Sequence, residues 1–262
     1  MCYRWISMPS SRWLLVSLLL VCLPGRAFDM ERDNWLIPEL PSLTPGTRTQ
    51  YDPIEFARIK ATGNDREPVY AEGKQIELIA AAAANNIKQV EALLKLGVNP
   101  NTRVDQWGEN ALMHAVLLSN IEMVRMLLDA GADPNLRMRG FTPLGMASLR
   151  GDAQIVRLLL KGGADVDMKS SDSNTPILAA TIMHRTNVVR ELLAYQPDMT
   201  IWNREGRVSL GVAVEDGAKD IVVLMLEAST DPNLMDRNGN RPLYWAKERY
   251  DIAVMLVSRG GF

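Results

Sequence analysis

From residue 73 onward the chain carries two hydrophobic patterns in strict alternation. The first is a leucine-like position followed three residues later by alanine: Leu78 and Ala81, Leu112 and Ala115, Leu144 and Ala147, Ile177 and Ala180, Leu210 and Ala213, Leu243 and Ala246. The leucine-like positions lie 34, 32, 33, 33 and 33 residues apart. The second pattern is a denser stripe: "QVEALL" (89–94), "MVRMLL" (123–128), "IVRLLL" (155–160), "VVRELL" (188–193) and "IVVLML" (221–226). Each stripe is apolar at i+1, i+4 and i+5, and all but the first, which opens on Gln89, also at i, which marks one face of a helix. A unit therefore reads as helix, short turn, helix and a loop back. The alanine lets the two helices of a pair approach, and the Val and Leu stripe packs on the neighbouring unit. One unit alone buries too little surface, so the units must stack.

The loops repeat as well, as "GVNPN" (97–101), "GADPN" (131–135) and "TDPN" (230–233). Thr142-Pro143 and Thr175-Pro176 place a capping hydroxyl before a proline at the first helical position, where its missing N–H costs nothing. The turn between paired helices needs a residue that tolerates positive φ. Asn85, Gly151, His184 and Gly217 suit it, and Ser119 fits poorly. Asn238-Gly239 is a strong short hairpin signal. The spacing of 32 predicts a loop one residue short ahead of Phe141.

Period, helix pair and the sequence "G-A-D-x-N … G-x-T-P-L … A … V-x-x-L-L" resemble the ankyrin-repeat family over residues 73–262. The resemblance implies an all-α ankyrin-repeat solenoid of about six helix-turn-helix units with short, finger-like hairpin loops. Repeats are expected near 73–105, 106–138, 139–171, 172–204, 205–237 and 238–262. The family's TPLH histidine is absent, with Met113, Gly145, Leu178, Gly211 and Tyr244 in its places. Asn110-Ala111 and Val208-Ser209 replace the Thr-Pro pair, and the fifth and the shortened sixth repeats are expected to fray first.

The resemblance also implies that a partner meets the concave side, formed by finger tips and exposed positions of the first helices. Trp107, Glu109, Leu117 and Leu118 fall there in the second repeat, and Met138, Arg139, Phe141, Leu149 and Arg150 in the third. Asp172, Asn174, Ile182 and Met183 follow in the fourth. Arg204, Glu205, Arg207, Glu215 and Asp216 come in the fifth, and Arg237, Asn238 and Asn240 in the sixth. The row is apolar and aromatic early and charged late, which centres a binding groove on repeats two to four. The segment 28–72, led by Trp35, Leu36 and Ile37, is the other candidate to cover those residues.

That segment differs in kind. Pro38, Pro41 and Pro45 each fix φ and remove a donor, so it reads as extended, with "DPIEFARIKA" (52–61) able to form a capping helix. Residues 1–27 have the layout of a secretory signal: arginines, the ten-residue run "LLVSLLLVCL" and small residues before a cut after Ala27. Lipidation at Cys22 is disfavoured by the bulky Val21 before it. The expected location is across the inner membrane, in the periplasm. Both cysteines, Cys2 and Cys22, fall in this leader, so the mature chain must hold together by packing alone. The mature chain contains no later apolar run of spanning length. The leader takes three arginines and no acids with it, leaving 26 basic against 31 acidic residues. Nucleic-acid binding needs a basic face and is not expected.

No HExxH, GxSxG, Walker or GxGxxG pattern occurs, and the histidines are His114 and His184 alone. No catalytic residue, metal ligand or cofactor is assigned. The expected function is a non-catalytic scaffold that binds and modulates another protein in the periplasm through its concave face. An immunity or inhibitor protein that occludes a toxin or enzyme is the alternative. An enzyme with an unrecognised site is the rival from another class, and convergent titratable groups would be its mark.

Overall fold

Inner helices start where a side chain can satisfy their first free N–H groups. In the computed structural model, which describes residues 73–103 and 108–262, Thr142 and Thr175 are extended. Their hydroxyls accept hydrogen bonds from Gly145 N–H (3.0 Å) and Leu178 N–H (3.4 Å). Asn110 performs the same task without Thr or Pro, accepting from Met113 N–H at 2.9 Å. Val208 and Arg241 offer no side-chain cap to the helices they precede. Residues 1–27, read from sequence as a leader, the segment 28–72 with its candidate helix 52–61, and Trp107 lie outside the described residues.

Among the described residues the chain forms twelve α-helices in six pairs. The pairs are α1 (Gly73–Ala83) with α2 (Ile87–Lys95), α3 (Ala111–Leu117) with α4 (Ile121–Asp129), and α5 (Pro143–Arg150) with α6 (Ala153–Lys161). Then come α7 (Pro176–Ile182) with α8 (Thr186–Leu193), α9 (Ser209–Asp216) with α10 (Lys219–Glu227), and α11 (Pro242–Trp245) with α12 (Tyr250–Ser258). Odd-numbered helices stack on one another in a row, and even-numbered ones form a second row behind them. The described part contains no strand, only one isolated β-bridge, between Met138 and Phe141. The expected all-α repeat solenoid is what the chain builds.

All six alanines of the repeat are buried at 4% exposure or less. A larger side chain there would push the inner helices apart, so the interval of 32 to 34 residues is a packing requirement. The stripes on the outer helices complete the core, with Val90, Val124, Val156, Val189 and Val222 fully enclosed. At the far end α12 buries Ile252 and Leu256 but leaves Tyr250, Val254 and Val257 exposed.

The tight turns inside the first five pairs are left-handed: Asn85 (φ +56°), Ser119 (+52°), Gly151 (+88°), His184 (+53°) and Gly217 (+72°); the sixth pair turns without a positive φ. Ser119 adopts the conformation despite its poor intrinsic fit because its hydroxyl is tied down, donating to Asp152 Oδ2 at 2.7 Å. His184 is there for the same backbone reason as the glycines.

A side-chain ladder joins successive units behind the fingers. Asn101 Nδ2 donates to Gly131 O (2.9 Å) while Asn101 Oδ1 accepts from Asp133 N–H (2.6 Å). Asn135 makes the same pair of bonds to Gly163 O and Asp165 N–H, and Asn233 to Gly260 O and Phe262 N–H. Between them the ladder weakens. Asp167 accepts from Asp198 N–H (2.9 Å) but, as a carboxylate, has nothing to donate to Gln196 O. Thr200, at the next rung position, donates to Asp198 Oδ1 in its own loop (2.6 Å), so the rung from repeat four to repeat five is missing. The loops after α8 and α10 also hold Gln196 (φ +52°) and Ser229 (φ +62°) where other units use glycine, a strain of about 1 kcal/mol each.

Asp167→Asn restores the missing donor, and the expected gain is about 0.5–1.5 kcal/mol at neutral pH in urea unfolding. Burial, followed by the charges of Asp198 and Asp165, holds the Asp167 carboxyl above its ordinary value. Its folded form therefore prefers the proton, and its cost to stability grows as pH rises from the ordinary carboxylate range through the raised value. The advantage of Asp167→Asn should shrink when the comparison is repeated near pH 3.5, and an advantage that grows in acid would be inconsistent with this account. Thr200→Asn should likewise stabilise the junction of repeats four and five. The missing rung at that junction and the absent caps on α9 and α11 place the weakest stretch from there through repeats five and six. Amide exchange should be fastest there, and uniform protection from repeat two onward would contradict that gradient.

Candidate interaction surface

The fingers are short turns whose shape is dictated by glycine and by side chains that bond to their own backbone. The finger Met138–Phe141 closes with two hydrogen bonds, Met138 N–H to Phe141 O (3.0 Å) and Phe141 N–H to Met138 O (2.9 Å). Arg139 (φ +51°) and Gly140 (φ +80°) make a two-residue turn with both φ positive, the type matched to strand twist. The next three fingers are each one residue longer. They close through Ser170 N–H to Asn174 O, Asn203 N–H to Arg207 O and Asp236 N–H to Asn240 O. The short finger expected from the spacing of 32 is therefore the one ahead of Phe141.

Fingers also bond to each other. Ser171 N–H donates to Gly140 O (2.9 Å) and Arg237 N–H to Gly206 O (2.7 Å). A Cβ on Gly140 would lie 2.6 Å from the Ser171 Cβ, and one on Gly206 would strike Arg237, so this stacking requires glycine. Asp236 secures the last finger by accepting from Asn238 N–H, Asn240 N–H and Asn240 Nδ2 at 2.8–3.0 Å. Burial pushes the Asp236 carboxyl up, but the bonds from Asn240, Asn238 and Trp245 outweigh it and hold the carboxyl below its ordinary value.

The sequence-assigned contact residues separate into three groups. Leu117, Leu118, Leu149, Ile182 and Met183 lie at the C-terminal ends of α3, α5 and α7, three helices stacked side by side. All of these are half-buried except Leu118, which is 39% exposed, and half-buried Phe141 ends the finger leading into α5. These are the residues the fold assembles into one row.

A second group is occupied in holding the scaffold. Met138 is a correction: it is only 7% exposed, because closure of the short turn draws its side chain beneath the finger instead of to the tip. Asp172 accepts from both Asn174 N–H (3.1 Å) and Asn174 Nδ2 (2.8 Å), so the pair shapes its finger. Arg150 lies 3.3 Å from Asp152 and donates to the Ser119 hydroxyl (3.1 Å), joining repeats two and three. Glu109 faces His114 Nε2 at 3.6 Å and Arg139 at 3.5 Å. Chiefly His114, then Arg139, holds the Glu109 carboxyl below its ordinary value against burial.

The third group is the charged late repeats. Arg204 reaches back to Ser171 O (3.1 Å). Arg207 pairs with Glu215, approaches Glu205 at 3.9 Å and lies over the Trp245 ring at 5.0 Å from its centre. His184 stands 3.7 Å from Asp216, linking repeats four and five. Sequence reasoning passed over Trp202, Met235 and Tyr244, which are exposed at 44%, 47% and 47%. Trp202 and Met235 lie on the leading arms of their fingers, and only tips and helix faces were counted. An aromatic residue at an arm position of a polar loop was the available signal.

No three His, Cys, Asp or Glu side chains among the described residues converge as a metal site would require. Of the titratable pairs, Arg139–Glu109, Arg157–Glu191, His184–Asp216 and Lys219–Asp251 join one repeat to the next, and the others lie within a repeat.

A family model described as ankyrin repeats in three copies matches residues 64–138 and 137–203. Ankyrin repeat domain-containing protein 63 from Mus musculus and its Homo sapiens counterpart are each 32% identical to the chain over 85 residues. The match covers 31% of this chain and 22% of those proteins, so the chain corresponds to under a quarter of their length. The crystal structure of an ankyrin repeat domain from Acinetobacter baumannii AYE superposes with a TM-score of 0.66 at 30% identity. It covers 71% of this chain and 98% of its own.

Arg207→Ala should cost about 1 kcal/mol through loss of the Glu215 pair and the contact with Trp245. The change should appear as a lower urea midpoint with altered tryptophan fluorescence. An unchanged midpoint would mean that solvent already screens both contacts.

Proposed function

We propose, since this chain belongs to the ankyrin-repeat family, that it binds a partner protein through the finger tips and inner-helix ends of repeats two to four. Ankyrin repeats are protein–protein interaction modules, and their fold is typically a non-catalytic scaffold. The observation that carries the reading is the row Leu117, Leu118, Leu149, Ile182 and Met183 at the ends of neighbouring inner helices, with Phe141 at the finger that opens α5. A partner that dehydrates such a row gains roughly 25 cal/mol per Å² of apolar surface covered. Because neighbouring inner helices are locked by Arg150, Ser119 and Asp152, the row is presented with little conformational entropy left to lose.

The leader-like segment at 1–27 supports action in the periplasm, where the partner would be met and its activity modulated stoichiometrically. Capture from periplasmic extract followed by mass spectrometry identifies the partner. Calorimetry with the purified pair then separates two roles: very tight binding that abolishes the partner's activity is inhibition, and moderate binding that preserves it is accessory function.

Leu118→Ala with Phe141→Ala should weaken that complex by about 30-fold or more, the loss expected of a central apolar anchor pair. Far-ultraviolet circular dichroism should remain unchanged. Trp107→Ala with Phe141→Ala extends the test to the second finger. Persistence of full affinity in both double variants would dismiss the groove. Deleting 28–72 and measuring iodide quenching of Trp107 decides whether that segment competes for the same row, and unchanged quenching argues against such self-capping.

A further inference from the structure

A cleft of about 580 Å³ opens among the leading arms of the late fingers, with Lys169, Ser173, Ile201, Trp202 and Arg237 on its walls. It is lined by residues of repeats three to five and shares no residue with the apolar row Leu117, Leu118, Leu149, Ile182 and Met183. Trp202 is 44% exposed in it. The Lys169 ammonium donates to the Trp202 backbone carbonyl at 2.9 Å, which fixes a positive charge on the cleft wall that also carries Trp202. Arg237 is held in place through its own backbone bond to Gly206 O. Arg204, on the intervening finger, is anchored to Ser171 O and adds a third cation.

None of these three cations has a carboxylate partner within ion-pair distance among the described residues. The neighbouring Arg207 is matched by Glu215 and Glu205. In a chain with 31 acidic and 29 basic residues this is a local reversal of sign. Met235, on the arm equivalent to that of Trp202 one repeat later, continues the exposed apolar surface at 47%.

We propose that this cleft takes an acidic segment of a partner polypeptide. An apolar side chain of the ligand covers the Trp202 indole while a carboxylate accepts charge-assisted hydrogen bonds from Lys169 and Arg237. Tryptophan flanked by cations is the composition of an interface anchor. A phosphate backbone is a poorer match, because exposed Glu205 stands among the cations and would face a second row of negative charge. The proposal rests on the reading that the finger side binds protein, but it assigns its own residues and its own chemistry.

The test uses the full chain and fluorescence anisotropy of a labelled decapeptide of alternating aspartate and leucine, with asparagine and lysine counterparts. The aspartate peptide should bind at least about tenfold tighter than the asparagine peptide, and the difference should shrink at high salt. Trp202→Ala and Arg237→Ala should each weaken it about fivefold or more, with Trp202→Phe retaining most of the affinity and circular dichroism confirming the fold. Lys169→Glu with Arg237→Glu should transfer preference to the lysine peptide. Leu118→Ala with Phe141→Ala should leave peptide affinity within about twofold, so failure of the early groove and failure of this cleft are read separately. Absence of binding by the aspartate peptide, or indifference to Trp202→Ala and Arg237→Ala, would overturn the proposal. So would tighter binding of a single-stranded oligonucleotide or of phosphatidylglycerol vesicles.

Discussion

Close approach of neighbouring inner helices is the constraint on which everything else rests. Each repeat offers a leucine-like residue and, one turn later, an alanine that is almost wholly buried. Alanine permits the helices to pack at short range, and that range sets where the outer helices and the fingers must lie. No repeat encloses Val124, Val156 or Val189 with its own atoms alone; the next repeat supplies the other wall. Stability in such an array is a sum of nearest-neighbour terms, so a defect at one junction is felt there first.

The junctions are unequal, and the inequality has a polar origin. Early junctions carry an asparagine rung that both donates and accepts, and inner helices that begin on a capping side chain. The middle ones lose the donor at Asp167 and the rung at Thr200, the inner helices after Val208 and Arg241 lack caps, and Asn233 restores the rung at the last junction. The uncapped inner helices and the charged contact residues both fall in repeats five and six, apart from the apolar row of repeats two to four. An apolar row on stacked helices suits a partner of fixed shape. A cleft flanked by cations suits an acidic segment.

Much of the contact surface was legible as position and not as availability. The repeat correctly placed Leu117, Leu118, Leu149, Ile182 and Met183 on neighbouring helix ends, because helix register follows directly from the period. It could not show that Asp172 is occupied by Asn174, or that Arg150 is fixed by Ser119 and Asp152. The Arg150–Ser119 contact spans about one repeat, a separation at which local pattern carries no information on rotamer or partner. Met138 shows the same limit within a single turn. Its place at a finger was legible, but its burial depends on how a two-residue closure directs the side chain.

The sequence by itself determined the helix pairs, the order of stacking, the left-handed turn positions and the one short finger. Each of these follows from local backbone preference or from a period repeated often enough to be unambiguous. Tertiary structure decided which side chains remain free to meet another molecule. It joined Lys169, Trp202 and Arg237 from three successive repeats around one cleft, and it exposed a tryptophan that the repeat pattern treats as ordinary loop. That outcome depends on distances between residues about 33 positions apart, which are fixed only once the alanines have let the helices close.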